Sequence, residues 1–232
     1  MEKFEEMLKQ AKKLIDEGKI AEADDILGHM LTQEMSLKEQ STLNLTAGLH
    51  FYNLGKEEIK EPILCGRQVE RFLGDVISLN VSISEVNKAL EILPLSCQKL
   101  LRDHQKAVKF ARMATSTASP EDKPQALNRE GFIEREAGLF ESLNTFSRAH
   151  SVAREKGNFK EAGNALFNKA ETLIVISNEV DLSKEALIDE IRIIFSNSLS
   201  SYKEHERRTK EDMEIYKNNV EEKIQGLATL IQ

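Results

Sequence analysis

The chain has 232 residues, a formal net charge of −7, 40% hydrophobic and 31% charged residues, and 6% aromatics with no Trp. That length can carry a substantial core in one elongated helical domain or two smaller ones, and a composition with 11 Gly and 4 Pro beside so few aromatics favours helices over a strand-rich sandwich. An acidic balance repels phosphate backbones and anionic lipid, which excludes nucleic acid and membrane as general partners.

In chain order, the N-terminus MEKFEEMLKQAKK is charged from its second residue, and no later segment approaches the ~18 uninterrupted apolar residues of a membrane span. Cys65 and Cys97 are too few for a disulfide framework and lack metal spacing, so two reduced thiols in a cytoplasmic protein are expected. A first hairpin over residues 2–34 is marked by Met7, Leu8, Ala11, Leu14 and Ile15, a break at Gly18, and Ala23, Ile26, Leu27, Met30 and Leu31 on the returning helix. A second covers 36–78. It opens on a Ser36/Glu39 capping box, closes its first helix at Gly55, and returns from Glu57 with Pro62 inside its first turns.

A third hairpin over 82–118 opens on Ser82 and Glu85, ends a short helix near Pro94, and runs a longer one from Ser96 to about Ala118. That longer helix projects Lys99, Arg102, Lys106, Lys109 and Arg112, a basic run in an acidic protein. Ser119-Pro-Glu-Asp122 signals the start of a fourth hairpin over 120–156, turning at Gly138 and stopping at Gly157-Asn158. A fifth over 159–203 carries Ala162, Ala165, Leu166 and Ala170, then a turn at Ser177-Asn-Glu-Val, a cap at Asp181, and Ile191, Ile194 and Phe195. Residues 204–231 read as a long final helix. Its first part is laced with charges four apart, such as Glu204 with Arg208, and Tyr216, Val220, Ile224, Leu227 and Ile231 then form an apolar stripe. The stripe is expected to fold back as a cap; self-association through this helix is the alternative.

Ala11–Gly18, Gly48–Gly55 and Gly131–Gly138 repeat one seven-residue spacing, and Ser142, Phe146 and Ala149 follow the last of them at helical intervals. This order of small residue, turn glycine, then small and large apolar residues resembles the tetratricopeptide repeat. The resemblance covers about residues 4–34, 41–75 and 124–156. It implies an all-α fold, a right-handed superhelix of stacked antiparallel hairpins forming a single domain over 1–232, whose concave groove binds partner chains.

In the phase set by Gly131, Asn128, Phe132 and Arg135 should face that groove, with Asn164 and Asn168 on the next first helix. A guanidinium beside an aromatic ring and amides suits a peptide backbone carrying a carboxylate, so the expected partner is another protein or peptide with acidic groups. Arg102, Lys106 and Lys109 form a second candidate face. No metal-binding histidine pair, phosphate-cradling glycine loop, dinucleotide fingerprint or nucleophile elbow occurs in the sequence. The expectation is therefore a non-catalytic scaffold or adaptor with no cofactor and no metal. A peptide-responsive regulator, or an enzyme with a nonstandard helical site, are the alternatives.

Overall fold

A computed structural model of the chain describes residues 2–17, 19–57, 59–179 and 184–227, and these form α-helices with no strand among them. The positions expected as a turn at Gly18, the end of a turn at Val180, a cap at Asp181 and the last stripe residue at Ile231 lie outside the described residues. The all-α class holds. The chain divides into two compact units, Met1–Ala114 and Thr115–Gln232.

The first unit contains α1 (Glu2–Asp16), α2 (Ile20–Leu31), α3 (Leu37–Lys56), α4 (Pro62–Leu79), α5 (Ile83–Lys99) and most of α6 (His104–Thr117). Helix α1 packs on α2, α3 on α4 and α4 on α5, while α1 also meets α3 and α3 meets α5. Packing between consecutive helices, with contact to the next but one, is consistent with a helical repeat. Leu8, Ala11, Leu27 and Met30 join Leu43, Ala47 and Phe72 in one apolar cluster. Leu54, Val69, Leu73, Val76, Ala89, Leu93 and Leu100 belong to a second.

Several boundaries in this unit differ from the sequence reading, each for a physical reason. Pro62 stands in the first turn of α4, where its missing N–H costs nothing, so the helix begins there and not at Glu57. Gly55 is buried inside α3 and serves close packing: a Cβ there would stand 2.8 Å from Cβ of Cys65. Helix α5 passes through Pro94 because Leu90, Leu93, Pro94 and Cys97 are all buried on it, and that burial outweighs one lost backbone bond. The chain breaks later, where Arg102 takes a left-handed φ of 55° between α5 and α6. The Ser36/Glu39 capping box is present. The second expected box is not: Ser82 makes no side-chain cap, and Glu85 instead accepts hydrogen bonds from Ser41 Oγ at 2.6 Å and Thr42 Oγ1 at 2.8 Å.

The second unit contains α7 (Lys123–Glu136), α8 (Glu141–Glu155), α9 (Phe159–Glu179), α10 (Lys184–Thr209) and α11 (Glu214–Leu227). Ser119 does bind Asp122, accepting its N–H at 3.2 Å, but the first residues form a turn and the helix proper starts at Lys123. Gly138 and Gly157 stop α7 and α8 in left-handed geometry, with φ of 74° and 71°. Leu139 N–H returns to Glu134 O and Asn158 N–H to Ala153 O, which satisfies carbonyls at both helix ends. Gly131 lets α7 approach α8 closely, since a Cβ there would lie 2.8 Å from the fully buried Phe146 ring.

The expected break near residue 203 is displaced. Helix α10 runs on through the charged stretch to Thr209, held by Glu204 with Arg207 at 2.8 Å and Arg208 at 2.5 Å, and ends where Lys210 takes φ of 63°. Helix α11 then packs on α10. Its Val220 and Leu227, with Met213 before it, are buried in a cluster with Ile191, Ile194, Phe195 and Tyr202. No helix among the described residues is long and apolar enough to cross a membrane.

Candidate functional site

Within the second unit, α7, α9, α10 and α11 enclose a cleft of about 430 Å³. Helix α7 lines it with Gln125, Asn128, Arg129 and Phe132, residues spaced to share one helical face. Helix α9 adds Glu161, Asn164, Phe167 and Asn168, α10 adds Tyr202, and α11 closes a side with Tyr216 and Asn219. Two charged side chains, Arg129 and Glu161, stand among amides and aromatic rings.

Glu161 is the hub of the polar floor. Asn158 caps α9, its Oδ1 accepting Glu161 N–H at 3.2 Å, which fixes Glu161 in the first turn. Asn128 then donates both protons of its amide to this residue, to the backbone carbonyl at 3.1 Å and to Oε2 at 2.7 Å. Asn164 donates to Oε1 at 3.3 Å, and its own Oδ1 accepts from the Tyr202 hydroxyl at 2.8 Å. The chain Asn128–Glu161–Asn164–Tyr202 therefore ties three helices together. Burial pushes the Tyr202 phenol well above its ordinary value, so it remains a hydroxyl donor.

Close approach makes this chain possible. A Cβ on Gly163 would stand 2.5 Å from the Tyr202 ring, so only glycine lets the phenol cross α9 and reach Asn164. Asn128 is 7% exposed, and its Oδ1 has no partner among the described residues. An unsatisfied buried acceptor costs roughly 1–3 kcal/mol.

Of the residues expected in the groove, Asn128, Phe132, Asn164 and Asn168 come together here. Arg135 does not line the cleft. It lies one turn further along α7, with its guanidinium 4.7 Å from the Phe132 ring centre and 3.4 Å from Glu136. Arg102, Lys106 and Lys109 do not share one helix face, because Arg102 sits in the break before α6, and Lys106 is bound to Glu70 at 2.6 Å. Gln125, Arg129, Glu161, Phe167, Tyr202, Tyr216 and Asn219 were not expected in the site. Gln125 and Glu161 each stand three residues before an expected amide, a spacing that carried the signal for them. Nothing in the local sequence connects Tyr202 or α11 to the same cleft.

Among the described residues no group of His, Cys, Asp and Glu is placed to hold a metal ion. Both cysteines are buried free thiols, and burial pushes that of Cys97 up to about 12, far from a reactive thiolate. No family model matches the chain, and a search of characterised proteins returns no significant relative.

Proposed function

We propose that this chain is a non-catalytic adaptor that binds a peptide, or an extended segment of another protein, in the cleft of residues 115–232. The observation that carries the reading is the convergence of Asn128 and Phe132 of α7 with Asn164 and Asn168 of α9 onto one cleft. Side-chain amides offer both donors and acceptors, which matches the alternating N–H and C=O of an extended backbone, and rings between them take side chains. The tetratricopeptide-like arrangement is part of the same proposal, supported by the Gly131–Phe146 approach and by α7 meeting α9 as well as α8. A peptide-responsive regulator is the second reading, favoured by α11, which packs on α10 and also lines the cleft with Tyr216 and Asn219.

Immobilised random heptapeptides probed with the full chain test this. A subset should bind, and the double substitution Phe132→Ala with Asn168→Ala should weaken those by about tenfold or more without moving the melting temperature, since Phe132 is exposed and Asn168 half-buried. Equal binding by the double variant, or no bound peptide at all, overturns the reading.

A further inference from the structure

The carboxylate of Glu161 faces the cleft with hydrogen bonds from two neutral amides, Asn128 and Asn164. Its sequence neighbour Lys160 does not supply a counterion there: that ammonium binds Glu211 at 2.6 Å and lies 5.4 Å from the Tyr216 ring centre. The Asn128 amide is also fixed in orientation. Turning it over would set its oxygen against the Glu161 carbonyl and carboxylate, so Nδ2 must face Glu161 and Oδ1 is the atom left over. The wall therefore presents the Glu161 carboxylate, while the spare Asn128 acceptor beside it is buried. Around them stand Phe132, Phe167 and Tyr216, rings whose faces attract cations. Two of these rings already carry one, Arg135 on Phe132 and Lys160 on Tyr216.

We propose that the cleft selects a peptide through a primary ammonium group, which pairs with Glu161 while the aromatic rings surround it. The ammonium comes from a free amino terminus or a lysine side chain. This rests on the peptide-binding reading above, and it reverses the polarity expected of the ligand. Arg135, the group expected to meet a carboxylate, stands outside the cleft. Arg129 lines it but has an interaction of its own.

The test uses random heptapeptides in four immobilised sets, with free or acetylated amino termini and with lysine present or replaced by norleucine. Binding of the full chain should fall by about tenfold or more in the set that is both acetylated and lysine-free. The two singly altered sets then report which ammonium is used. Glu161→Gln, nearly the same shape, should bind all four sets alike while melting as a folded protein. Binding by the wild type that is indifferent to all four sets overturns the ammonium inference and leaves peptide binding standing. A wild type that binds no set overturns both.

Discussion

Residues 1–114 and 115–232 each hold a half-buried carboxylate at the centre of a polar group between helices, and they complete it differently. In the first unit Asp24 on α2 receives His50 from α3 at 2.9 Å and also the ammonium of Lys60, so imidazole and ammonium close over it. In the second, Glu161 is held by the amides of Asn128 and Asn164 and opens onto a cleft. Glycine packing separates the units in the same way. Gly48 and Gly66 admit the aliphatic side chains of Leu73 and Leu101, whereas Gly131 and Gly163 admit the rings of Phe146 and Tyr202. An aliphatic contact only fills space. A phenol brought across a glycine also delivers a hydrogen bond, and at Gly163 that bond belongs to the cleft. A carboxylate closed by a cation ties its helices together; one held by neutral amides is the one proposed above to pair with a ligand.

The largest expected effect tests whether the two cores are equally tight. Ala47 in α3 and Ala149 in α8 are both fully buried. Ala47→Asp and Ala149→Asp should each cost several kcal/mol, because each buries an unpaired carboxylate. Chemical denaturation is the measurement. A variant that unfolds like wild type would show that its helix does not pack as described, and unequal costs would mark one core as the looser.

A smaller effect separates filling from function. Gly48→Ala and Gly163→Ala each force a methyl into an occupied contact, costing about 1–3 kcal/mol, offset in part by roughly 1 kcal/mol of helix propensity. Stability should fall in both. Peptide binding should fall only with Gly163→Ala, because only there does the displaced side chain, Tyr202, carry the bond to Asn164. If binding survives in that variant, the Asn128–Glu161–Asn164–Tyr202 chain does not organise the cleft.

These contrasts also show how far sequence reaches. The helical class, the stops at Gly138 and Gly157 and the shared face of Asn128 and Phe132 follow from local spacing, which one helix fixes by itself. The errors arose where a distant partner outweighed a local signal. Glu85 had the spacing of a capping residue, yet two hydroxyls of α3 claim it. Glu206, in the stretch expected to be laced by charges four apart, instead binds Lys217 of α11 at 2.9 Å. Pro94 signals a helix end, but a buried stripe carries α5 past it. The role of Glu161 was illegible for the same reason, because its meaning depends on Asn128, a residue 33 positions earlier.

The smallest effect expected concerns acid, and it too divides the units. Glu39 in α3 has its carboxyl pulled below the usual value by the Ser36 hydroxyl and N–H, a bond confined to one helix start. Glu211, in the connector before α11, is pulled down by Lys160 of α9 and then by His205 of α10, so its bonds span three elements. A depressed folded value means a contribution that is present above the unfolded carboxylate value of about 4.3 and is lost as pH falls through the lower folded one. Lys160 is raised by the same partner, so its part is complete below its unfolded value of about 10.4 and is lost only as pH rises through the raised one. Neutral solution lies inside both limits. Acid should therefore fray only the first turn of α3 but loosen the seating of α11, which carries Tyr216 and Asn219 into the cleft. Amide hydrogen exchange, corrected for its intrinsic pH dependence, should show α11 protection falling below about pH 4 in the wild type. Glu211→Gln should already be partly unprotected at pH 7 and change less on acidification, with Lys217–Glu206 and Lys223–Glu171 holding what remains. Identical profiles for the two proteins would mean that α11 is seated without Glu211, by Val220, Leu227 and the other ion pairs, and the contrast between Glu39 and Glu211 would then have no bearing on the cleft.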